Sequence, residues 1–269
     1  MNLPNKRLFL FDIDGTLALG DELFSGTREL LDAIDQKGGV SVFITNNSTR
    51  SGADYVKRFA EVFCLEARED QFITSGALTL DFLKGHFSGK KIYCLGTASY
   101  IAELRRNGLR ITEKCEDDLD CILVAYDSEV NYGKLCEASK ALQTTDAPFY
   151  ATNPDLRCPA PFGFIPDCGS ICEMLTETTG KVPTYLGKPA AEMVRVAQRS
   201  FGFGDAETVV VGDRLYTDIA CGINAGVDTI LLLTGEARRE DLADTKFPPS
   251  LVLEDVEALV RAYGAGSDV

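Results

Sequence analysis

Leu8-Phe9-Leu10-Phe11 is an unbroken apolar run that passes directly into Asp12-Ile13-Asp14-Gly15. A strand with one face in water alternates apolar and polar residues. An unbroken run instead implies burial on both faces, as in the middle of a parallel sheet covered by helices. The two aspartates then stand where the strand leaves the core, at its C-terminal end. The next residues repeat the pattern. Ser25-Gly26-Thr27 reads as a capping stretch, Leu30, Leu31 and Ile34 follow helical spacing, and Gly38-Gly39 stops the helix. Val40-Ser41-Val42-Phe43-Ile44 is a second strand ending in Thr45-Asn46-Asn47-Ser48, and Val56, Phe59, Ala60 and Phe63 mark one face of another helix. Strand, helix, strand, helix predicts an α/β fold, a Rossmann-like parallel sheet with right-handed crossovers.

The last third follows the same logic. A helix around residues 190–198 precedes Thr208-Val209-Val210-Val211, which runs into Gly212-Asp213; a helix around residues 218–222 then leads to Ile230-Leu231-Leu232-Leu233. Between these parts, residues 91–95, 121–126 and 149–152 read as strands separated by helical stretches. The middle therefore has an α/β pattern of its own, expected as a second domain at residues 80–182 inserted into a core of residues 1–79 and 183–269. One continuous sheet is the alternative that periodicity leaves open. There is no internal repeat, and from Gly264 onward the chain reads as a loose tail.

Composition narrows the function. Among 269 residues, 41 acidic side chains against 27 basic ones leave a net charge of −14, which repels a phosphate backbone and disfavours a nucleic-acid partner. No apolar run approaches the roughly 18 residues of a membrane span, and residues 1–7 lack the order of a signal peptide, so a cytoplasmic protein without a membrane partner is expected. Nine cysteines without paired CxxC spacing or nearby histidines read as reduced thiols. Cys94 and Cys121 fall inside apolar strands as core residues. Cys168 and Cys172 are better placed for reactivity, but no histidine base accompanies them. The only histidine, His86, lies in a polar stretch read as a loop, so a histidine-based mechanism is set aside.

Four separated segments place polar groups just past apolar ones: Asp12-Ile13-Asp14-Gly15-Thr16, Thr45-Asn46-Asn47, Gly187-Lys188-Pro189, and Gly212-Asp213 through Thr217-Asp218. In an open α/β sheet the C-terminal strand ends converge on one crevice. Crowded carboxylates repel one another unless a hard cation sits among them, and Mg2+ prefers such oxygen ligands; Asp12 and Asp213 are the expected side-chain ligands. Asp12 could attack phosphorus in line. Asp14, turned differently by Gly15, could protonate the leaving oxygen and then activate water. Thr45 suits phosphate oxygens, Lys188 offers a compact positive charge, and Asp218 would support metal-bound water or orient Lys188. Each segment alone is as readily a turn or a helix cap. An EF-hand would need a glutamate where Asp21 stands. The four together, in this order, are far more specific.

They resemble the haloacid dehalogenase superfamily: Asp12-Ile13-Asp14-Gly15-Thr16 is similar to its nucleophile motif, Thr45-Asn46-Asn47 to the second, Lys188 to the third, and Gly212-Asp213 with Asp218 to the acidic fourth. The insert between the second and third motifs and the unbroken Gly212-Asp213-Arg214-Leu215-Tyr216-Thr217-Asp218 resemble the p-nitrophenyl phosphatase and NagD-like group with a large α/β cap. The resemblance implies an Mg2+-dependent phosphatase acting on a small phosphorylated metabolite through an aspartyl-phosphate, with the Asp14 carbonyl also on the metal. It implies phosphate contacts from Asn46 and Asn47, and a cap loop, Thr152-Asn153-Pro154-Asp155, in which Asn153 and Asp155 help select substrate. Cap and core would close on each other during turnover, and a homodimer formed through the cap is plausible. The alternatives are a phosphotransferase or mutase on the same scaffold and a non-catalytic phosphometabolite-binding module of the receiver type. A dinucleotide-binding oxidoreductase lacks its Gly-x-Gly-x-x-Gly after the first strand.

Overall fold

The computed structural model of the protein describes residues 1–48, 50–160 and 162–264, the side chains of residues 159 and 160 excepted. The tail expected from Gly264 lies, beyond Gly264 itself, outside the described residues. Two compact units are present: Met1–Thr45, Ser51–Ile73 and Lys188–Val269 form the first, and Asn46–Arg50 with Thr74–Gly187 form the second.

The first unit is built on a six-stranded sheet with the order Leu251–Leu253, Asp228–Leu232, Thr208–Gly212, Leu8–Phe11, Val40–Thr45, Phe72–Thr74. The Leu8–Phe11 strand pairs in parallel with both neighbours, Leu8 opposite Thr208 on one side and Val40 on the other. Its four residues are all buried, as the unbroken apolar run requires. Strand order reverses at this strand, and such a switch point opens a crevice at the carboxyl ends. One face of the sheet carries Phe9, Phe11, Phe43, Val209 and Val211 into a core with Leu30 and Ile34 of the Thr27–Gln36 helix and Phe59 of the Gly52–Glu61 helix.

The helix starts differ in chemistry. Ser51 and Asp54 form a reciprocal capping box at Gly52–Glu61. Ser25-Gly26-Thr27 holds the start of Thr27–Gln36, with Gly26 as the N-cap and no side-chain capping bond. The residue before Thr27–Gln36 is Gly26 at φ +86°, and the Thr27 hydroxyl donates instead to the Leu17 carbonyl, 3.1 Å away. That bond ties the helix start to the loop leaving the first strand. A short antiparallel hairpin, Ala18–Leu19 with Glu22–Leu23, lies within that loop. The helix expected over residues 218–222 begins as a π-helical turn, Leu215–Ile219, before Ala220–Asn224.

The second unit has a five-stranded parallel sheet in the order Thr184–Tyr185, Phe149–Ala151, Cys121–Val124, Lys91–Leu95, Arg110–Thr112. Side-chain alternation splits its core in two. Tyr93, Leu95, Ile122 and Val124 pack with Ala138 and Leu175 on one face, while Ile92, Cys94, Cys121 and Leu123 pack with Leu83 and Leu104 on the other. None of the nine cysteines is in a disulfide. The Cys168 thiol beside it and burial both push the Cys172 thiol up, so it stays protonated and inert. His86 is the last residue of the Ser75–His86 helix rather than a loop residue, and its ring stacks on Phe82 at 4.4 Å. Among the described residues no helix is long and apolar enough to cross a membrane.

Candidate active site

At the carboxyl end of the first unit's sheet, the Asp12 amide still donates to Val211 O at 2.9 Å, so the residue leaves the strand in fixed register. Lys188, buried, places its Nζ 2.5 Å from Asp12 Oδ1 and 2.7 Å from Asp218 Oδ1, and 3.4 Å from the Ile44 carbonyl. Asp213 follows the Thr208–Gly212 strand, and its Oδ2 accepts from the Glu236 amide at 2.7 Å. The Thr16 hydroxyl lies 3.2 Å from Asp213 Oδ1 and 3.4 Å from Asp12 Oδ2 and bridges the two acids. Asp218 sits on the π-helical turn, where its Oδ2 accepts from the Arg214 amide at 3.0 Å. Two glycines make room for this packing. Gly15 holds φ +98°, and a Cβ there would fall 2.7 Å from Asp213 Oδ2; at Gly235 it would fall 2.0 Å from the same atom.

Asp12, Asp213 and Asp218 each bring one oxygen within 4.8 Å of the others. Burial pushes Asp12 well above the usual carboxylate range; Lys188 pulls it back, and Asp218 and Asp213 push it up again. Asp213 is pushed up to about 6, by burial first and by Asp218 second. Burial alone would lower the Lys188 ammonium, but Asp12 and Asp218 outweigh it and hold the group above the usual lysine value. Three crowded carboxylates against one ammonium leave excess negative charge in a site of hard oxygen donors. That donor set fits Mg2+.

Asp14 stands apart from this cluster. Its side chain is 34% exposed, and its Oδ1 lies 3.5 Å from Arg58 Nη2. The Thr234 hydroxyl donates to the Gly15 carbonyl at 2.6 Å and steadies the same loop. Thr45 ends the neighbouring strand, buried, next to the Ile44 carbonyl that Lys188 reaches. The remaining expected residues belong to the second unit, where Asn46, Asn153 and Asp155 form a network. Asp155 Oδ2 accepts from Asn46 Nδ2 at 2.7 Å and from Asn153 Nδ2 at 2.9 Å. The Ser75 hydroxyl donates to the Asn46 carbonyl at 2.8 Å, and Thr152 donates to Asn153 Oδ1 at 2.8 Å. Asn46, Thr152, Asn153 and Asp155 are buried, and Asn47 is half-buried.

The sequence reading did not single out Thr16, Arg58, Thr234, Gly235 or Glu236. The segment Thr234-Gly235-Glu236 carries a faint signal, a glycine just past an apolar strand as at Gly15. Arg58 carries none, because its place on the Gly52–Glu61 helix shows only helical spacing.

A model described as haloacid dehalogenase-like hydrolase matches residues 9–110, and a second described as HAD-hyrolase-like matches residues 185–259. The chain is 31% identical to an acid sugar phosphatase of Staphylococcus aureus, over 96% of this chain and 98% of that one. It superposes on a 4-nitrophenylphosphatase from Thermotoga maritima with a TM-score of 0.88 and 34% identity, covering 98% and 99% of the two chains. NagD of Escherichia coli K-12 follows at 0.81 and 33%, covering 93% and 97%. A glycerol phosphate phosphatase from Mycobacterium tuberculosis in complex with magnesium matches at 0.84 and 27%, over 96% of this chain and 78% of that one. A chain that aligns along nearly its whole length with these phosphatases, and carries the strand-end acids described above, belongs to the haloacid dehalogenase-like hydrolases, in their NagD and p-nitrophenyl phosphatase branch.

Proposed function

We propose that the protein hydrolyses small phosphate monoesters, of the sugar phosphate, nucleotide or p-nitrophenyl phosphate type, by Mg2+-dependent phosphoryl transfer to Asp12. The observation that carries the reading is the placement of the buried Lys188 ammonium between Asp12 and Asp218, with Asp213 in the same cluster. Asp12 and Asp213 side chains and the Asp14 carbonyl would hold the ion, which supplies the charge neutralisation that lets an anionic ester approach a carboxylate.

An Asp12 oxygen forms the new bond to phosphorus while the ester oxygen departs with its bonding electrons. Asp14, protonated, gives that oxygen its proton. The carboxylate so formed then takes a proton from water, which attacks phosphorus, releases inorganic phosphate and regenerates Asp12. Lys188 keeps Asp12 oriented and offsets charge on the transferring group. Asp218 fixes Lys188 from the other side. Thr45, Asn46 and Asn47 are assigned to the phosphate oxygens. Asn153 and Asp155 are assigned an influence on substrate choice, exerted through the loop that they brace. In this reading the first unit is the catalytic core and the second the cap. Support for the substrate class comes from the relatives, whose names record sugar, nitrophenyl and glycerol phosphate esters.

The test is phosphate release from p-nitrophenyl phosphate with and without Mg2+. Asp12→Asn is expected to lower kcat by about a thousandfold or more, since the nucleophile itself is lost. Wild-type turnover in that variant, or turnover unaffected by chelation of divalent ions, would overturn the proposal.

A further inference from the structure

Asp14 has a demanding task in the proposed mechanism, because one carboxyl must serve a leaving oxygen and then a water. Its surroundings are poorly suited to holding it still. The side chain is 34% exposed and follows a loop that turns at Gly15, φ +98°. Within the active-site loop itself nothing would stop such a carboxyl from rotating into solvent. The restraint comes from another element. Arg58, in the last turn of the Gly52–Glu61 helix, has a side chain only 10% exposed, with Nη2 3.5 Å from Asp14 Oδ1 and 3.9 Å from Asp21 Oδ1. The same nitrogen donates to the Gly20 carbonyl, at the turn of the Ala18–Leu19 and Glu22–Leu23 hairpin. The guanidinium carbon lies 5.0 Å from the centroid of the Phe63 ring, which fixes the fork from behind.

We propose that Arg58 is a positioning residue for the acid–base step: it holds the Asp14 carboxyl and the hairpin turn beside it in one arrangement, aimed at the leaving oxygen. The inference rests on the acid–base role proposed for Asp14. A purely structural arginine would need only Gly20 and Asp21, which already join helix to hairpin. Reaching Asp14 as well adds nothing to that join. A lysine at this position keeps one charge and one direction of approach, whereas an apolar residue keeps neither.

The experiment compares kcat/KM for p-nitrophenyl phosphate, whose leaving group departs without a proton, with that for glycerol phosphate, whose leaving group needs one. In wild type against Asp14→Asn, the glycerol-to-nitrophenyl ratio is expected to fall about a hundredfold, the usual scale of general acid catalysis. Arg58→Met is expected to lower the same ratio about tenfold, and Arg58→Lys to regain most of the loss. A ratio that stays at the wild-type value in Arg58→Met while Asp14→Asn shifts it would overturn the positioning role and leave the proposed function standing. A ratio unmoved in Asp14→Asn would instead remove the acid–base assignment, and this inference with it. If Arg58→Met does not fold, Arg58→Gln carries the same comparison, read the same way.

Discussion

Asp213 shows how much a single side chain can ask of its surroundings. Burial and Asp218 raise its carboxyl to about 6, well above an unfolded aspartate. In the metal-free protein the folded state therefore binds more protons than the unfolded state between about pH 4 and pH 6, and stability falls as pH rises through that window. The difference between about 6 and an unfolded aspartate corresponds to roughly 3 kcal/mol when fully expressed. A bound divalent ion favours the ionised form and reverses the penalty. The expected outcome is a rise in Tm on adding Mg2+ that is larger at pH 7.5 than at pH 5, measured by thermal unfolding; an equal rise at both would show that this carboxyl does not titrate as argued. Asp12 and Asp213 were visible in the sequence because each follows an apolar run, and Asp218 because it closes the polar segment that begins at Gly212-Asp213. Thr16 and the Glu236 amide, which satisfy two of those acids, were not. A hydroxyl or an amide carries no sequence signal of which carboxylate it will meet.

Elements were legible in proportion to their length. The runs at Leu8–Phe11, Val40–Thr45, Thr208–Gly212 and Asp228–Leu232 announced themselves by four or five apolar or β-branched positions. Phe72–Thr74, Arg110–Thr112 and Leu251–Leu253 did not, since three residues hold no period, although Phe149–Ala151, equally short, was read as a strand. The Ser25-Gly26-Thr27 stretch does start a helix, with Gly26 as the N-cap, while the Thr27 hydroxyl turns to the Leu17 carbonyl, a partner that no local pattern announces. Lys6 is a further case that a charge pattern would place on the surface. It is 2% exposed, its Nζ 2.7 Å from Asp228 Oδ2 and bonded to the Ala206 and Thr208 carbonyls at 2.8 and 2.9 Å. It joins the first strand to the starts of two others. Lys6→Met leaves two carbonyls and a carboxylate without their cation, and is expected to cost about 2–4 kcal/mol in urea unfolding, the low side of a broken buried pair because Asp228 is partly exposed. A loss below about 0.5 kcal/mol would mean that water replaces the ammonium freely.

At the scale of the whole molecule, a net charge of −14 sets a repulsive long-range field for any anionic ester. With Mg2+ saturating, kcat/KM for p-nitrophenyl phosphate is expected to rise between about 10 and 150 mM NaCl, as the field is screened. A steady fall would show instead that local positive charge around Lys188 governs the encounter. Residue order alone was enough for the α/β class and the identity of the strand-end acids, because a strand buried on both faces must be apolar throughout and must shed its first polar residues where it leaves the core. It also carried the family, through four motifs in order. Which groups meet emerged with the folded chain: Lys188 lies between Asp12 and Asp218, Asp155 is shared by Asn46 and Asn153, and Arg58 reaches Asp14. Period and composition describe what a residue does along its own element. Pairings across 176 positions, as between Asp12 and Lys188, are set by strand order and register, which no local pattern encodes.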